Sequence, residues 1–581
     1  MKVLYSIYKL ILITSSTIFT LGILSSRILA QPNIPPGINI PPDPPDPIER
    51  TSPPEDEPST IPPRTPEPQD PILIPPENQK IPKREEEGVF KETFSVKQIE
   101  ILGSTVLRKE IEELKNKLLE KRQVSFEELL QLRSDITKLY IDNGYINSGA
   151  FLLSQIIDTD GVVKIQVVEG ELEDIQLTGL KRLRANYVRS RIKRATTTPL
   201  NKNRLERALQ LLQIDPLISQ VNAELTAGST PGKNILKLIV KEAPAFHAGV
   251  FTRNSQSPSI GSLQAGIFAV HDNVLGFGDS LRGEYGITEG LNLYDINYTF
   301  PVNSKNGKIG FRFTNTDSRI IEDDFEDIDI RSEAQTYSLN FRQPLTLTPN
   351  SEFALGLALD LRRSQTFILD DIPFSFSQGA EDGESNVTVI RFSQDWVQRN
   401  TKTVLAARSQ FSFGIDAFDA TTNNSGTDGR FFSWLGQFQW VQQVTPRSIL
   451  VSRLNAQLTP DSLLSLEKFS AGGVNTVRGY RQNELVTDNA VTGSVELFIP
   501  LTPNSNELRI APFFDIAAVW NNRGSNPDPN IIAGTGVGLL WQPRPDLNLR
   551  LDYGLPLVSV EDRGNTLQDN GLYFSVQYQP F

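Results

Sequence analysis

From Phe246 to Phe581 apolar and polar residues alternate with a period of two, and no other feature restricts the fold of this chain so tightly. In Tyr294-Asp-Ile-Asn-Tyr-Thr-Phe300 the aromatics and Ile296 alternate with Asp295, Asn297 and Thr299. In Leu547–Tyr553 the leucines and Tyr553 alternate with Asn548, Arg550 and Asp552, and Ile309, Phe311 and Phe313 alternate with Gly310 and Arg312. Side chains of an extended strand point to opposite faces in turn. Segments of about ten such residues, split by Gly/Asn/Asp turns, are the pattern of a transmembrane β-barrel, apolar towards lipid and polar towards a lumen. A soluble sandwich also alternates, but 336 residues (246 to 581) without a clear helix are too many for one sandwich. Glu322 to Ile330 and Asp419 to Arg430 read as long exposed loops, and the chain ends on an aromatic, Phe581. At roughly 21 residues per strand and turn, the region holds about 16 antiparallel strands.

Composition agrees. Hydrophobic residues are 38% of the chain and mean hydropathy is −0.26, too polar for a bundle of membrane helices. A net charge of −12 speaks against a nucleic-acid partner, which needs a basic face. The chain has no cysteine and only two histidines, His247 and His271, far from any catalytic companion. These totals lead us to expect no catalytic residue, no metal and no cofactor. No Gly-x-x-x-x-Gly-Lys-Ser/Thr loop appears, so no nucleotide is expected.

Ahead of the barrel the chain divides into four parts. Residues 1–30 read as a secretory signal: Lys2 and Lys9 flank the start of an apolar stretch from Leu10 to Leu24, with a cut after Ala30. Arg27 and Ile28 fit that cut imperfectly, and an N-terminal anchor is the alternative. Residues 31–90 are saturated with proline pairs such as Pro35-Pro36 and Pro75-Pro76. They read as a disordered, semi-stiff polyproline linker that contributes no helix to the pore.

Residues 91–170 and 171–243 repeat one β-α-α-β-β plan. In the first, a strand from Phe94 to Gly103 is followed by helical spacing of Ile111, Leu114 and Leu118. Ser125 and Glu128 form a capping box, and Leu129, Leu132, Ile136 and Tyr140 continue a second helix to Asn143-Gly144. Phe151–Ile157 and Val162–Val168 read as strands across a turn at Asp158–Gly161. The second unit has a strand from Leu172 to Leu177, a helix over Arg184–Arg194 and a helix capped by Asn201. That helix carries Leu205, Leu209 and Leu212, and strands Val221–Leu225 and Ile235–Val240 follow. An internal repeat of this kind marks stacked modules.

Two such units before a barrel resemble the polypeptide-transport-associated (POTRA) architecture, and the chain is similar to two-partner secretion transporters, the haemolysin secretion/activation family. The resemblance runs from Phe94 to Phe581. It rests on Leu139-Tyr-Ile-Asp-Asn-Gly-Tyr-Ile-Asn-Ser148, Val168-Glu-Gly170, Leu205–Leu212 with Asp215-Pro216, and Asn273-Val-Leu-Gly-Phe-Gly-Asp279. Most specific is Gly472–Tyr480, with the tetrad Val477-Arg478-Gly479-Tyr480 of the family's long inward-folded loop. It pairs with the late-strand motif Phe513-Phe-Asp515-Ile-Ala517, where Ala517 departs from the family's usual glycine. The last strand alternates as Leu572, Phe574, Val576 and Tyr578, one residue out of step with Phe581.

Alternation in Pro512–Trp520 puts Phe513, Asp515 and Ala517 on the lumen face. The resemblance implies that Arg478 contacts Asp515 there and locks the loop inside; Arg478 as one lumen charge among many is the alternative. Leu205, Leu209 and Leu212 are either core or the floor of a client-docking surface, and Glu169-Gly170 reads as the hinge between units. The family implies an outer-membrane translocator, in contact with outer-membrane lipids and with its POTRA units in the periplasm. The same resemblance implies that it captures a secreted β-rich exoprotein and exports it without nucleotide hydrolysis. An insertase for barrel proteins is the alternative; a solute porin does not need the modules or the tetrad.

Overall fold

The computed structural model describes residues 45–51, 73–74, 93–121, 123–155, 161–504, 507–560 and 564–581. The expected signal segment, most of the proline-rich stretch and the turn residues Asp158 to Asp160 lie outside them. Two pieces of the proline-rich stretch are described, helix α1 (Pro47–Thr51) and strand β1 (Leu73–Ile74).

In the first unit, β2 (Gln98–Leu102), α2 (Arg108–Leu119), α3 (Phe126–Asp142), β3 (Gly149–Leu152) and β4 (Val162–Val168) give a three-stranded sheet in the order β2-β4-β3. Ser125 and Glu128 make the reciprocal capping box at the start of α3. The helical spacing works as expected: Ile111, Leu129, Leu132, Ile136 and Tyr140 are buried against Ile99, Val163 and Ile165. Full burial of each such side chain contributes about 1.5–3 kcal/mol. The expected strand from Phe94 is broken, because Thr93–Phe94 pairs instead with Val124–Ser125. The strand expected over Phe151–Ile157 is observed at Gly149–Leu152.

The second unit comprises β5 (Glu171–Thr178), α4 (Ala185–Lys193), α5 (Lys202–Gln213), β6 (Ile218–Ala227) and β7 (Lys233–Glu242). Its sheet runs β1-β6-β7-β5, so a piece of the proline-rich stretch has joined it. Leu73 and Ile74 pair in parallel with Ala223 and Glu224 on the outer edge of β6.

Several quoted motifs lie at joints. Asn201 Nδ2 donates to Asn143 O (3.0 Å), Lys202 N to Gly144 O (2.9 Å) and Asn147 Nδ2 to Asn234 Oδ1 (2.7 Å), so the Leu139–Ser148 motif forms the contact between units. The Glu169 carboxylate accepts from Thr105 N (2.7 Å), Val106 N (3.2 Å) and the Tyr140 hydroxyl (2.8 Å). Burial raises its pKa, but the Thr105 hydroxyl, which also donates to it, and these other donors outweigh burial and hold it below the usual carboxylate range. Asn273–Asp279 is the turn between the first two barrel hairpins. Asp279 accepts from Leu275 N and Phe277 N, and the turn receives the second unit: Arg184 N donates to Gly276 O, and its guanidinium lies 3.7 Å from the Phe277 ring centre.

The remaining chain closes a ring of sixteen antiparallel strands, from the first (Phe246–Arg253) to the sixteenth (Leu572–Tyr578). Closure uses four paired positions, Val250–Arg253 against Ser575–Tyr578. The alternation sorts the side chains. Tyr294, Ile296, Ile309, Phe311, Leu551 and Tyr553 are exposed on the outer wall, while Asp295 and Asp552 are buried on the inner side. The stretches expected as exposed loops fold back in part: Ile328 and Ile330, and Thr427 and Asp428, are buried.

Candidate functional site: a loop folded into the barrel

Thirty residues (459 to 488) join the eleventh strand (Ile449–Leu458) to the twelfth (Asn489–Pro500). This loop carries a short hairpin, Phe469–Ala471 paired with Leu485–Thr487, and its tip lies against the inner wall. Phe469, Val477, Tyr480 and Leu485 of the loop form one buried cluster with Ala517, Val519 and Ile532 of the wall. Burial of these loop side chains on an apolar patch of the inner wall explains why the loop stays in.

The structure brings the Arg478 and Asp515 side chains together. Arg478 Nε and Nη2 donate to Asp515 Oδ2 (2.7 Å) and Oδ1 (2.9 Å), a bidentate fork, and Arg478 N also faces Oδ2 at 3.2 Å. The guanidinium carbon sits 3.4 Å from the Phe513 ring centre, so Phe513 is the stacking floor of the pair. Val477 and Tyr480 are buried. The Tyr480 hydroxyl lies within hydrogen-bonding distance of Ala533 O (2.9 Å) and Val558 O (2.8 Å), on two separate parts of the wall. Gly479 has φ +107°, a conformation that favours glycine, and its N–H donates to Tyr573 Oη (2.8 Å).

Sequence reasoning missed the rest of the set. Arg478 Nη1 also donates to Glu496 (2.9 Å) on the twelfth strand and approaches Asp552 (3.4 Å) on the fifteenth. Arg550 bridges both carboxylates, 2.7 Å from Glu496 and 2.6 Å from Asp552. Three carboxylates therefore face Arg478 and Arg550, with Arg453 3.9 Å from Glu496. The close-approach glycines are Gly534 and Gly554 rather than position 517. A Cβ on Gly554 would lie 2.6 Å from Gly479 N, and one on Gly534 would strike Arg478 O. Ala517 is fully buried and packs against the loop cluster. Beneath the tip, a polar cavity of about 780 Å³ is lined by Arg253, Arg282, Arg509, Asn475 and Gln542 among others.

Two expectations are corrected. Leu205, Leu209 and Leu212 are 0–2% exposed in the core of the second unit, so they offer no surface to a client. The proline-rich stretch does contribute a helix to the pore. Ile48 of α1 packs with Val387 and Val389 of the inner wall and with Leu463, Leu464 and Leu466 of the loop. Glu49 pairs with Lys468 (2.7 Å), Ser465 donates to Asp46 (2.7 Å), and Arg50 donates to Asn483 O (2.8 Å). The overlooked signal is local: Asp46 accepts from Ile48 N, and Pro47 occupies a first-turn position where its missing N–H costs nothing.

Comparison with known proteins agrees with this architecture. Residues 94–170 match the model of the ShlB-type POTRA domain. Two curated relatives are an outer membrane transporter CdiB from Dickeya dadantii and a heme/hemopexin transporter HuxB from Haemophilus influenzae. The first is 21% identical over 62% of this chain and 64% of its own; the second is 21% identical over 68% and 70%. The match thus spans just under two thirds of the Dickeya protein. The solved structure of CdiB from Escherichia coli shares the fold with a TM-score of 0.64 at 22% identity, covering 88% of this chain and 94% of that one. Residues 232–540, more than half of the chain, match the model for the haemolysin secretion/activation protein ShlB/FhaC/HecB, and the chain belongs to that family.

Proposed function

We propose that this protein is an outer-membrane translocator of the two-partner secretion type, its POTRA units in the periplasm and its barrel the route for one secreted β-rich exoprotein. The observation that carries the reading is a loop held inside the lumen on reversible contacts. The tip is seated by Arg478 on Asp515, Glu496 and Asp552, an arrangement that closes the pore at rest and releases without covalent change. A porin keeps its lumen open and does not need such a latch.

An extended client is taken up by strand addition, in which main-chain hydrogen bonds supply affinity and side-chain pockets supply selectivity. The outer edge of β3 suits this. Among the described residues β3 pairs only with β4, and Phe151 within it is 52% exposed. The corresponding edge on β6 already holds Leu73–Ile74. Folding of the client outside the cell supplies the drive.

The test is to delete the gene and compare secreted and outer-membrane proteins by mass spectrometry, complementing with wild type and Arg478→Ala. Loss of one or a few large secreted proteins, restored by wild type alone, supports the reading. A broad fall in outer-membrane barrels makes the protein an insertase instead.

A further inference from the structure

The loop touches the barrel wall with charge at a second place that the family's tetrad does not include. Glu467 lies on the descending arm, eleven residues before Arg478, in the single turn Ser465–Glu467. Its side chain is 5% exposed. The carboxylate accepts from Arg391 Nη2 at 2.8 and 2.9 Å and from Arg362 Nη1 at 2.9 Å. Arg391 is itself fixed in the wall, by Asp360 (2.6 Å) and Ser412 (2.8 Å). The seventh and eighth strands (Ser351–Ile368, Val387–Arg399) therefore converge on Glu467, and the ninth (Thr403–Gly414) braces Arg391. Gln457 Nε2 donates to the Glu467 carbonyl (3.0 Å), which holds the backbone as well.

Arg478 is seated on the twelfth, thirteenth and fifteenth strands, Glu467 on the seventh and eighth. In a ring of sixteen the eighth and the thirteenth are five strands apart, so the two contacts stand on separate faces of the lumen. They have opposite polarity. The loop presents a cation to a cluster of carboxylates on one face and a carboxylate to two guanidiniums on the other. Glu467, Arg478 and the carboxylates around Arg478 are buried and Arg362 and Arg391 partly so, so breaking either contact leaves a poorly solvated charge short of its counter-ion.

We propose that Glu467 is a positioning residue that forms a second lock, and that the loop spans the lumen as a crossbar tethered by charge at both ends. Release of Arg478 alone leaves the descending arm fixed; full opening requires Glu467 to leave Arg391 and Arg362 as well. A client segment that opens the pore must therefore compete at both contacts, with an acidic group for Arg362 and Arg391 and with a basic group for the carboxylates that hold Arg478. The inference rests on the loop being the closed lid of the preceding section.

The experiment is ion current through the purified full-length protein in planar lipid bilayers, which needs no client. Wild type, Glu467→Gln, Arg478→Ala and the double variant are compared, with heat-modifiable gel mobility as the check on barrel folding. Glu467→Gln is expected to raise the ratio of open to closed time by about tenfold or more, and the double variant to exceed either single one. Glu467→Gln also strands Arg362 as an unpaired cation, so Glu467→Gln/Arg362→Gln separates tethering from wall stability. A tether predicts that the thermal stability of the barrel recovers while opening stays raised. Recovery of both together, or a Glu467→Gln current like wild type in both backgrounds, overturns the proposal. Raised current together with an unaltered secretome on gene deletion would keep the crossbar and refute the secretion reading.

Discussion

Removing Arg478 and removing Asp515 should not cost the same, although the two residues form one pair. Arg478→Met keeps much of the side-chain volume over Phe513 but takes from Asp515 the guanidinium that holds both its oxygens, while Glu496 and Asp552 keep Arg550 and the more distant Arg453. Breaking a buried ion pair by deleting one partner costs about 3–5 kcal/mol. That is a shift of the seated-to-released ratio by a factor of roughly 150 to 5,000 at about 1.36 kcal/mol per decade. Asp515→Asn leaves the guanidinium with Glu496 at 2.9 Å and Asp552 at 3.4 Å. It removes one charge-assisted fork, about 1.5–3 kcal/mol, or a factor of roughly 10 to 150. The double variant should fall short of the product of the two factors, because the first change already removes the contact the second would break. Open-to-closed ratios in planar bilayers read all four proteins. Equal effects of the two single variants, or strict multiplicativity in the double, would refute the view that Arg478 neutralises a shared carboxylate cluster.

Gly554→Ala should loosen the loop without touching a charge, since the new Cβ would meet Gly479 N at 2.6 Å and Arg478 C at 2.8 Å, while Gly283→Ala has nothing within 4 Å and should be neutral. Protease sensitivity of the loop distinguishes them. At the joint between the units, Glu169 has a folded pKa below its unfolded value of about 4.3. Its stabilising contribution is fully present above the unfolded value and is lost as pH falls through the folded one. Protection of the Thr105 and Val106 amides relative to intrinsic exchange should therefore fall on acidification, and Glu169→Gln should flatten that dependence; an unchanged profile would be the contrary result. Leu209→Ala should destabilise the second unit by about 2–5 kcal/mol. Loss of client binding with urea unfolding unaffected would reinstate a docking role for that leucine.

The sequence by itself determined whatever a local period or a local cap encodes. Strict alternation from Phe246 onwards commits the chain to strands with one apolar face, and a one-residue slip anywhere would turn that face into the lumen. The number of strands, the capping box at Ser125 and the inward direction of Asp515 follow from the same short-range rules. The Asp46-Pro47 start of α1 was equally local, but it was hidden by proline density that argues for an extended chain. Tertiary structure alone decided which inward charges meet. Glu496, Asp515 and Asp552 sit on the twelfth, thirteenth and fifteenth strands, and alternation says only that each points inwards. Their convergence on Arg478, and that of Arg362 and Arg391 on Glu467, depends on barrel closure and on how deep the loop descends. The glycines that admit the loop at 534 and 554 are chosen in the same way, by the approach of a backbone dozens of residues distant. Pairings at such separations carry no periodic trace in the chain, because the ring that brings them together is closed by hydrogen bonds between its first and last strands.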